Sequence, residues 1–346
     1  MSPKTSKSVL ATILPAAAQR SLGLDEMRDV FNEALGFQEG EKHAELQLAA
    51  LFGVLAGRGV TSTELRGTVS ALLEHATPFE HGRPDAIDTC GTGGDGLSTF
   101  NLSTATALVV SSLEVPVIKH GNRAVSSHSG SADLLEQLGI AIDMDVVTSR
   151  RQLHELNFAF LFAPRFHASL AAIGPLRRAL GMRTIVNLAA PLANPGRVRR
   201  QLVGVSDERS LKAVAQALEE GGTQRAFVVH GPCGADEVLP CGPNQLLGVG
   251  QLKDQTLDPS TFGMLRSPVE ALACEDAAHA SRQLHALFQG DVGPLRDALV
   301  LNVAVALVVA DRARDFYDGA EAARFALDSG LAARQLTALQ YFGGAQ

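Results

Sequence analysis

Through the first 80 or so positions, apolar residues recur at three- and four-residue spacings. The stretches Leu24 to Leu35, Ala44 to Ala56 and Thr61 to His75 therefore read as helices. The third carries a start signal, because Thr61-Ser62-Thr63-Glu64 is a capping box whose hydroxyl and carboxylate satisfy orphan amides. After His81-Gly82-Arg83-Pro84 the period changes. Short apolar runs at Ala86 to Cys90, Val115 to Ile118, Phe158 to Phe162 and Ala226 to Val229 predict buried strands alternating with helices. Ser267-Pro268-Val269-Glu270 predicts a helix running towards Phe288, with further helices near Leu295 to Tyr317 and Ala320 to Leu339. The pattern describes an α/β fold with an all-helical attachment. No repeat of 20 to 50 residues is visible, which sets solenoids aside.

Length and composition narrow the class. A chain of 346 residues suggests two compact units, and 46% hydrophobic with 19% charged residues describes a soluble globular protein, excluding collagen and low-complexity disorder. The longest apolar run, Ala298 to Ala310, is interrupted by Asn302 and falls short of the roughly 20 residues that span a bilayer, so it reads as a buried helix. Met1 to Leu10 lacks the apolar region of a signal peptide, so a cytoplasmic protein is expected. Cys90, Cys233, Cys241 and Cys274 show no C-x-x-C spacing and are expected to be free, reduced thiols of the core.

The formal charge of −7 disfavours nucleic acid and anionic membranes, but it is unevenly spread. Residues 156–206 contain seven arginines and no Asp, Glu or Lys. A local positive field suits a small anionic substrate. With two Tyr and no Trp, there is little on which bases could stack.

The densest chemical signal runs from Asp88 to Thr104, where Gly91, Gly93, Gly94 and Gly96 follow a strand, and Asn101, Ser103 and Thr104 open a helix. Such a loop cradles phosphates with backbone amides and the positive end of the helix. Gly91 to Gly96 also matches the dinucleotide fingerprint G-x-G-x-x-G. That fingerprint requires an acid about 20 residues further on, at the end of the second strand. Here the second strand runs into Lys119-His120-Gly121-Asn122-Arg123, and a cation there suits another phosphate.

Together with Lys119 to Asp133, His167, Pro175-Leu-Arg177-Arg178, Asn187 to Pro195 and His230-Gly231-x-x-Gly234-x-Asp236-Glu237, this loop resembles the anthranilate phosphoribosyltransferase family over nearly the whole chain. The resemblance implies transfer from phosphoribosyl pyrophosphate (PRPP) to the amine of anthranilate, with Mg²⁺ as cofactor and a homodimer as assembly. It implies an α/β domain with a central mixed sheet (residues 83–164 and 199–346) that binds PRPP, plus a smaller helical domain (1–82 and about 165–198), with the reactants meeting between them. It assigns Gly91, Gly94, Asp95, Thr99, Asn101, Leu102, Ser103, Thr104, Lys119, Ser127 and Ser131 to the donor. Gly121 is among the substrate-binding residues, His120, Asn122, His167 and Arg177 would serve the acceptor side, and Ser103, Asp236 and Glu237 would hold magnesium. Lys119 and the ion would stabilise charge. No nucleophilic triad is visible, and phosphoribosyl transfer requires none.

His120 and His167 read as walls of the site rather than general bases, because an aromatic amine already has a free lone pair; His128 reads as an ordinary surface or packed residue. Four positions depart from the family pattern, all on the acceptor side: Ala168 for Pro, Ala189 for Leu, Ala190 for Gly and Ala193 for Thr. A paralogue with another aromatic acceptor is the alternative they raise. A pyrimidine nucleoside phosphorylase and a non-catalytic nucleic-acid-binding relative are the other rivals, opposed by the donor loop, by Asp236-Glu237 and by the acidic overall charge.

Overall fold

In chain order, helices α1 (Val9–Ala17), α2 (Leu24–Ala34), α3 (Lys42–Arg58) and α4 (Ser62–Glu74) precede the first strand. Then follow β1 (Ile87–Gly91), α5 (Leu102–Ser112), β2 (Val117–Gly121), α6 (Ser131–Gln137), α7 (Val146–Leu156), β3 (Phe158–Phe162), and the short helices α8 (Ala163–Phe166), α9 (Gly174–Leu180) and α10 (Ile185–Ala189). The chain continues through β4 (Arg200–Gly204), α11 (Glu208–Glu220), β5 (Arg225–His230), β6 (Asn244–Gly250) and β7 (Gln255–Leu257). It closes with α12 (Ala277–Phe288), α13 (Pro294–Val309), α14 (Phe316–Asp328) and α15 (Leu331–Tyr341). This computed structural model describes residues 8–38, 40–124 and 129–342. Ser127 and His128 lie outside the described residues.

The chain divides into two compact units. The helical unit comprises the chain up to Pro78 together with Pro164–Pro195. In it α2 packs on α4, and Gly67 makes the approach possible: its Cα lies against the Leu24 carbonyl and Met27 Cβ, with no room for a side chain. Glu64, wholly buried, fastens the same corner by accepting from the amides of Leu22 at 2.8 Å and Thr61 at 2.9 Å, and by pairing with Arg58. Burial pushes this carboxyl up, but the bonds from Arg58, Leu22 and Thr61 outweigh it and leave the pKa below its ordinary value.

The α/β unit, Phe79–Ala163 with the chain from Gly196 onward, is built on a seven-stranded sheet in the order β3-β2-β1-β4-β5-β6-β7. The first five strands in that order are parallel, and β6 and β7 are antiparallel, so the sheet is mixed. In α5 every residue from Thr104 to Ser112 is buried, and in α13 every residue from Ala298 to Val309. Both are lodged in the core; the buried stretch of α13 is apolar but for Asn302, whereas that of α5 also takes in Thr104, Thr106, Ser111 and Ser112. Among the described residues, no helix is long and apolar enough to cross a membrane.

The structure corrects several expectations. The helix expected to run from Ser267 is only a single 3₁₀ turn, Val269–Leu272, and α12 starts later, with the Asp276 carboxylate accepting from the His279 amide at 2.6 Å. The intervening chain is taken up elsewhere: the Phe100 amide donates to Leu272 O at 2.9 Å, and the Cys274 amide to Ser98 O at 2.8 Å. Segment 272–274 is thus a brace for the glycine loop. The helix expected from Leu295 to Tyr317 ends at Val309, because Asp311 turns left-handed (φ 62°) before Asp315 caps α14. The stretch Ala320 to Leu339 is divided by Gly330 at φ 74°. Strands β4, β6 and β7 lie where the apolar pattern predicts none. All four cysteines are unbridged, but only Cys274 is buried; Cys90 and Cys241 are half-buried and Cys233 is exposed.

Candidate active site

Strand β1 ends at Gly91, and the glycine loop leaves it through left-handed turns at Gly93, Gly94 and Gly96 (φ 64°, 69° and 74°). Such turns favour glycine, so the sequence pattern and the loop shape have one cause. The loop is tied down at each end. The Thr92 amide donates to Gly204 O at 3.0 Å and the Leu97 amide to Asp95 Oδ1 at 3.1 Å, while Thr99 bridges to Ala273. Asn101 precedes α5 but does not cap it with its own side chain; its amide instead donates to Ser129 O at 2.9 Å.

The cap comes from 134 residues away in sequence: Glu237 Oε1 accepts from the Ser103 amide at 3.0 Å. Asp236 Oδ2 accepts from the Gly93 amide at 2.6 Å. These two carboxylates close onto the loop because the sheet leaves space for them. A methyl group at Gly204 would overlap the Asp236 carbonyl oxygen, and one at Gly91 would overlap its carboxylate. From below, Lys119, 2% exposed in the middle of β2, donates to Thr89 O at 2.6 Å and Ser103 Oγ at 3.2 Å. Thr89 Oγ1 in turn donates to Ser103 O at 2.8 Å. A small cavity lies among Thr89, Ser103, Gly204, Asp236, Glu237 and Asn302.

The electrostatics of this cluster are unbalanced. Burial, then the neighbouring Asp236, push the Glu237 carboxyl well above its ordinary pKa. Its second oxygen, Oε2, is buried with no hydrogen-bond partner. Burial lowers the Lys119 ammonium, against the pull of Asp88. An orphaned buried carboxylate oxygen beside a second carboxylate and a hydroxyl is a donor set for a hard cation. Among the described residues no group of three or more His, Cys, Asp or Glu side chains could hold a metal by itself. The fit is therefore to an ion such as Mg²⁺, which keeps water and substrate phosphates in its remaining positions.

On β2 and beyond, His120 and Gly121 are half-buried and Asn122 is exposed. The Ser131 hydroxyl donates to Asn122 O at 3.2 Å, and Gly121 is pressed against Ser131 and Phe160 with no room for a Cβ. Leu102 and Thr104 are buried, Leu102 as core and Thr104 on the inner face of α5. The expected donor and metal residues other than Ser127 thus all lie in the α/β unit, with the Leu102 and Thr104 side chains buried.

His167 and Arg177 belong to the helical unit. His167 is 2% exposed and its Nε2 bonds Ala193 O at 2.9 Å, a packed and anchored ring. Burial lowers its pKa. Arg177, on α9, donates from Nη2 to Asn187 Oδ1 at 3.4 Å, and its buried Nε has no hydrogen-bond partner. Burial alone lowers this guanidinium's pKa.

Two supports escape the sequence reading. Gly204 is one, and its signal is only a glycine ending an unrecognised strand. Asn302 is the other. From the middle of buried α13 it accepts from the Val238 amide at 3.1 Å and donates to Val238 O at 2.7 Å, pinning the chain just after Glu237. The lone polar residue in an otherwise apolar run is the available clue.

Residues 83–333 match the glycosyl transferase family, a/b domain. The anthranilate phosphoribosyltransferase of Novosphingobium aromaticivorans is 44% identical over 291 residues, covering 84% of this chain and 88% of the relative. That of Chloroflexus aggregans is 39% identical over 333 residues, covering 95% and 96%. Among solved structures, the anthranilate phosphoribosyltransferase of Thermus thermophilus is similar with a TM-score of 0.89 at 34% identity, covering 97% of this chain and 99% of that one. The Saccharomyces cerevisiae enzyme in complex with PRPP and Mg gives 0.88 at 25% identity, covering 97% and 98%.

Proposed function

Because this chain belongs to the anthranilate phosphoribosyltransferase family, we propose that it transfers the phosphoribosyl group of PRPP to the amine of anthranilate. The products are N-phosphoribosylanthranilate and pyrophosphate, a step of tryptophan biosynthesis. The observation that carries this reading is the seating of Asp236 and Glu237 on the glycine loop, with Glu237 Oε2 buried and unpartnered.

Breaking the bond between the anomeric carbon and pyrophosphate leaves a cationic, oxocarbenium-like sugar and gathers negative charge on the leaving group. The loop amides and the start of α5 receive phosphate oxygens, and the left-handed glycines let the backbone come close. Ser103, Asp236 and Glu237 hold Mg²⁺, which supplies neutralising charge to the pyrophosphate. Lys119 is not an exposed phosphate clamp: two of its three N–H groups are spent on Thr89 and Ser103, so it fixes the Ser103 hydroxyl and adds its field from beneath. Thr99, Asn101, Ser127 and Ser131 complete the donor side.

On the acceptor side, the buried, unpartnered Nε of Arg177 supports binding of the anthranilate carboxylate, since a guanidinium pairs with a carboxylate through two parallel bonds. Asn122, His120 and Gly121 add wall and polar contact. His167 positions the Ala193 backbone and moves no proton. The amine attacks with its own lone pair and releases its proton to solvent.

The reading extends to a cytoplasmic homodimer. The dimer is supported by a stripe on α3 in which Leu46, Ala50, Gly53 and Gly57, at helical spacing, are all exposed. Turnover of the purified chain with PRPP, Mg²⁺ and a panel of aromatic amines tests the activity. Anthranilate is expected to be the preferred acceptor. Preference for another amine, or no phosphoribosyl transfer at all, overturns the assignment. Light scattering tests the dimer.

A further inference from the structure

Strands β5 and β6 run antiparallel with His230 opposite Gln245, and the connection between them carries Asp236 and Glu237. The two limbs of that connection lie side by side. Gly231 faces Asn244 Oδ1, 3.3 Å from where a Cβ would stand, and a Cβ on Gly242 would sit 3.6 Å from Pro232 Cβ. Immediately inside the Pro232–Gly242 contact come Cys233 on one limb and Cys241 on the other, and both are free thiols. Their nearness is felt electrostatically: burial raises the Cys241 thiol pKa, and Cys233 and Glu270 raise it further.

The geometry points to a reversible disulfide between Cys233 and Cys241, formed by a peroxide, that brackets the carboxylates Asp236 and Glu237. Cys233 is the exposed thiol and meets the oxidant first. Its sulfur takes one oxygen from hydrogen peroxide, giving Cys233–SOH and one water. The half-buried Cys241 thiol then attacks that sulfur, expelling a second water and leaving the S–S bond. In sum two thiols and one peroxide become one disulfide and two waters. A dithiol reductant reverses it by exchange.

The link would be felt at the carboxylates because the segment has no slack. Asp236 already lies against Gly204 and Gly91 with no space for a methyl, and Val238 is pinned on both its amide and its carbonyl by Asn302. Drawing the Cys233 turn onto Cys241 therefore moves Asp236 relative to the glycine loop. The cross-link itself does not depend on what the chain transfers; its effect on turnover rests on the function proposed above.

The test treats the full chain with hydrogen peroxide, blocks remaining thiols, and digests with a protease that cuts after acidic residues. Cleavage after Asp236 or Glu237 separates the two cysteines. Mass spectrometry is expected to find the Cys233 and Cys241 peptides joined. Turnover should fall at least tenfold and return with dithiothreitol. Cys233→Ser and Cys241→Ser should form no link and keep their rates through the treatment. Absence of the joined peptide overturns the disulfide. A link with an unchanged rate, or an equal loss of rate in the serine variants, overturns its coupling to the carboxylates. A chain with no turnover before oxidation refutes the functional reading, while the joined peptide still decides the disulfide.

Discussion

From Gly91 to Thr104 the α/β unit is held largely through its backbone: Thr92 to Gly204, Gly93 to Asp236, Phe100 to Leu272 and Ser103 to Glu237. From Thr184 to Asn194 the helical unit is held largely by burial. Ala189 and Ala193 are fully buried, Leu188 and Asn194 are nearly so, and His167 is anchored to a backbone carbonyl that any residue at 193 supplies. The first kind of structure demands particular residue types, glycine where φ is positive and short polar side chains where amides need partners. The second tolerates any apolar set of suitable volume. This is a physical reason for the departures from the family pattern at 189 and 193, which are fully buried; Ala168 is exposed and Ala190 half-buried, and packing volume does not explain them.

The largest expected effect lies on the donor side. Asp236→Asn with Glu237→Gln keeps shape and hydrogen-bond acceptors but removes both charges from the cation's ligands. Turnover should fall by about a thousandfold, equivalent to about 4 kcal/mol. Steady-state kinetics against Mg²⁺ concentration check it, and an unchanged rate and Mg²⁺ dependence would remove these residues from the site.

Gly204→Ala comes next. Its methyl overlaps the Asp236 carbonyl, backbone against backbone, so the carboxylate must leave the Gly93 amide. A loss of about a hundredfold in kcat is expected, with circular dichroism unchanged. If activity survives, the close seating of the two carboxylates is not what the donor side depends on, and the contrast between the two regions weakens.

These two substitutions also mark how far the sequence could be read. The glycine loop and Asp236-Glu237 are legible because their chemistry is local: a run of small and polar types after an apolar strand has few other uses. Gly204 is not legible, because the demand for a bare Cα comes from Asp236, 32 residues further on in sequence. The helix expected from Ser267 fails for the same kind of reason. Its capping box is sound locally, but the backbone of 272–274 is worth more paired with Ser98 and Phe100. Strand β6 hides because its exposed and half-buried positions include Gln245, Gly248 and Gly250, which break the apolar run. In the helical unit, α2, α3 and α4 follow the apolar periodicity within two residues at either end.

Arg177→Ala carries the comparison to the acceptor side. Losing a charge-assisted pair costs about 1.5 to 3 kcal/mol, so KM for anthranilate should rise between about 10-fold and 150-fold. KM for PRPP should stay within about threefold. A donor effect larger than the acceptor effect would mean that the two sides have been assigned in reverse.

The smallest effect is expected at Ala190, where the family pattern has glycine. A glycine would be required there if the backbone were left-handed or if a methyl met a neighbour. The backbone is neither strained nor unusual: φ −58° and ψ −43° are helical, at the end of α10, and the residue is half-buried. Alanine in such a conformation is favoured over glycine by about 0.5 to 1 kcal/mol, so Ala190→Gly should lower thermal stability slightly. A methyl-sized change in the wall of an acceptor pocket is worth about 1 to 3 kcal/mol only if the ligand touches it. With its neighbours Ala189 and Ala193 already reduced to alanine, the wall has lost volume rather than gained it. Catalytic efficiency with anthranilate in Ala190→Gly should therefore stay within about threefold of the parent chain. A rise of tenfold or more, measured by steady-state kinetics at saturating PRPP, would show that this one methyl group excludes anthranilate and would favour a paralogue built for a different aromatic amine.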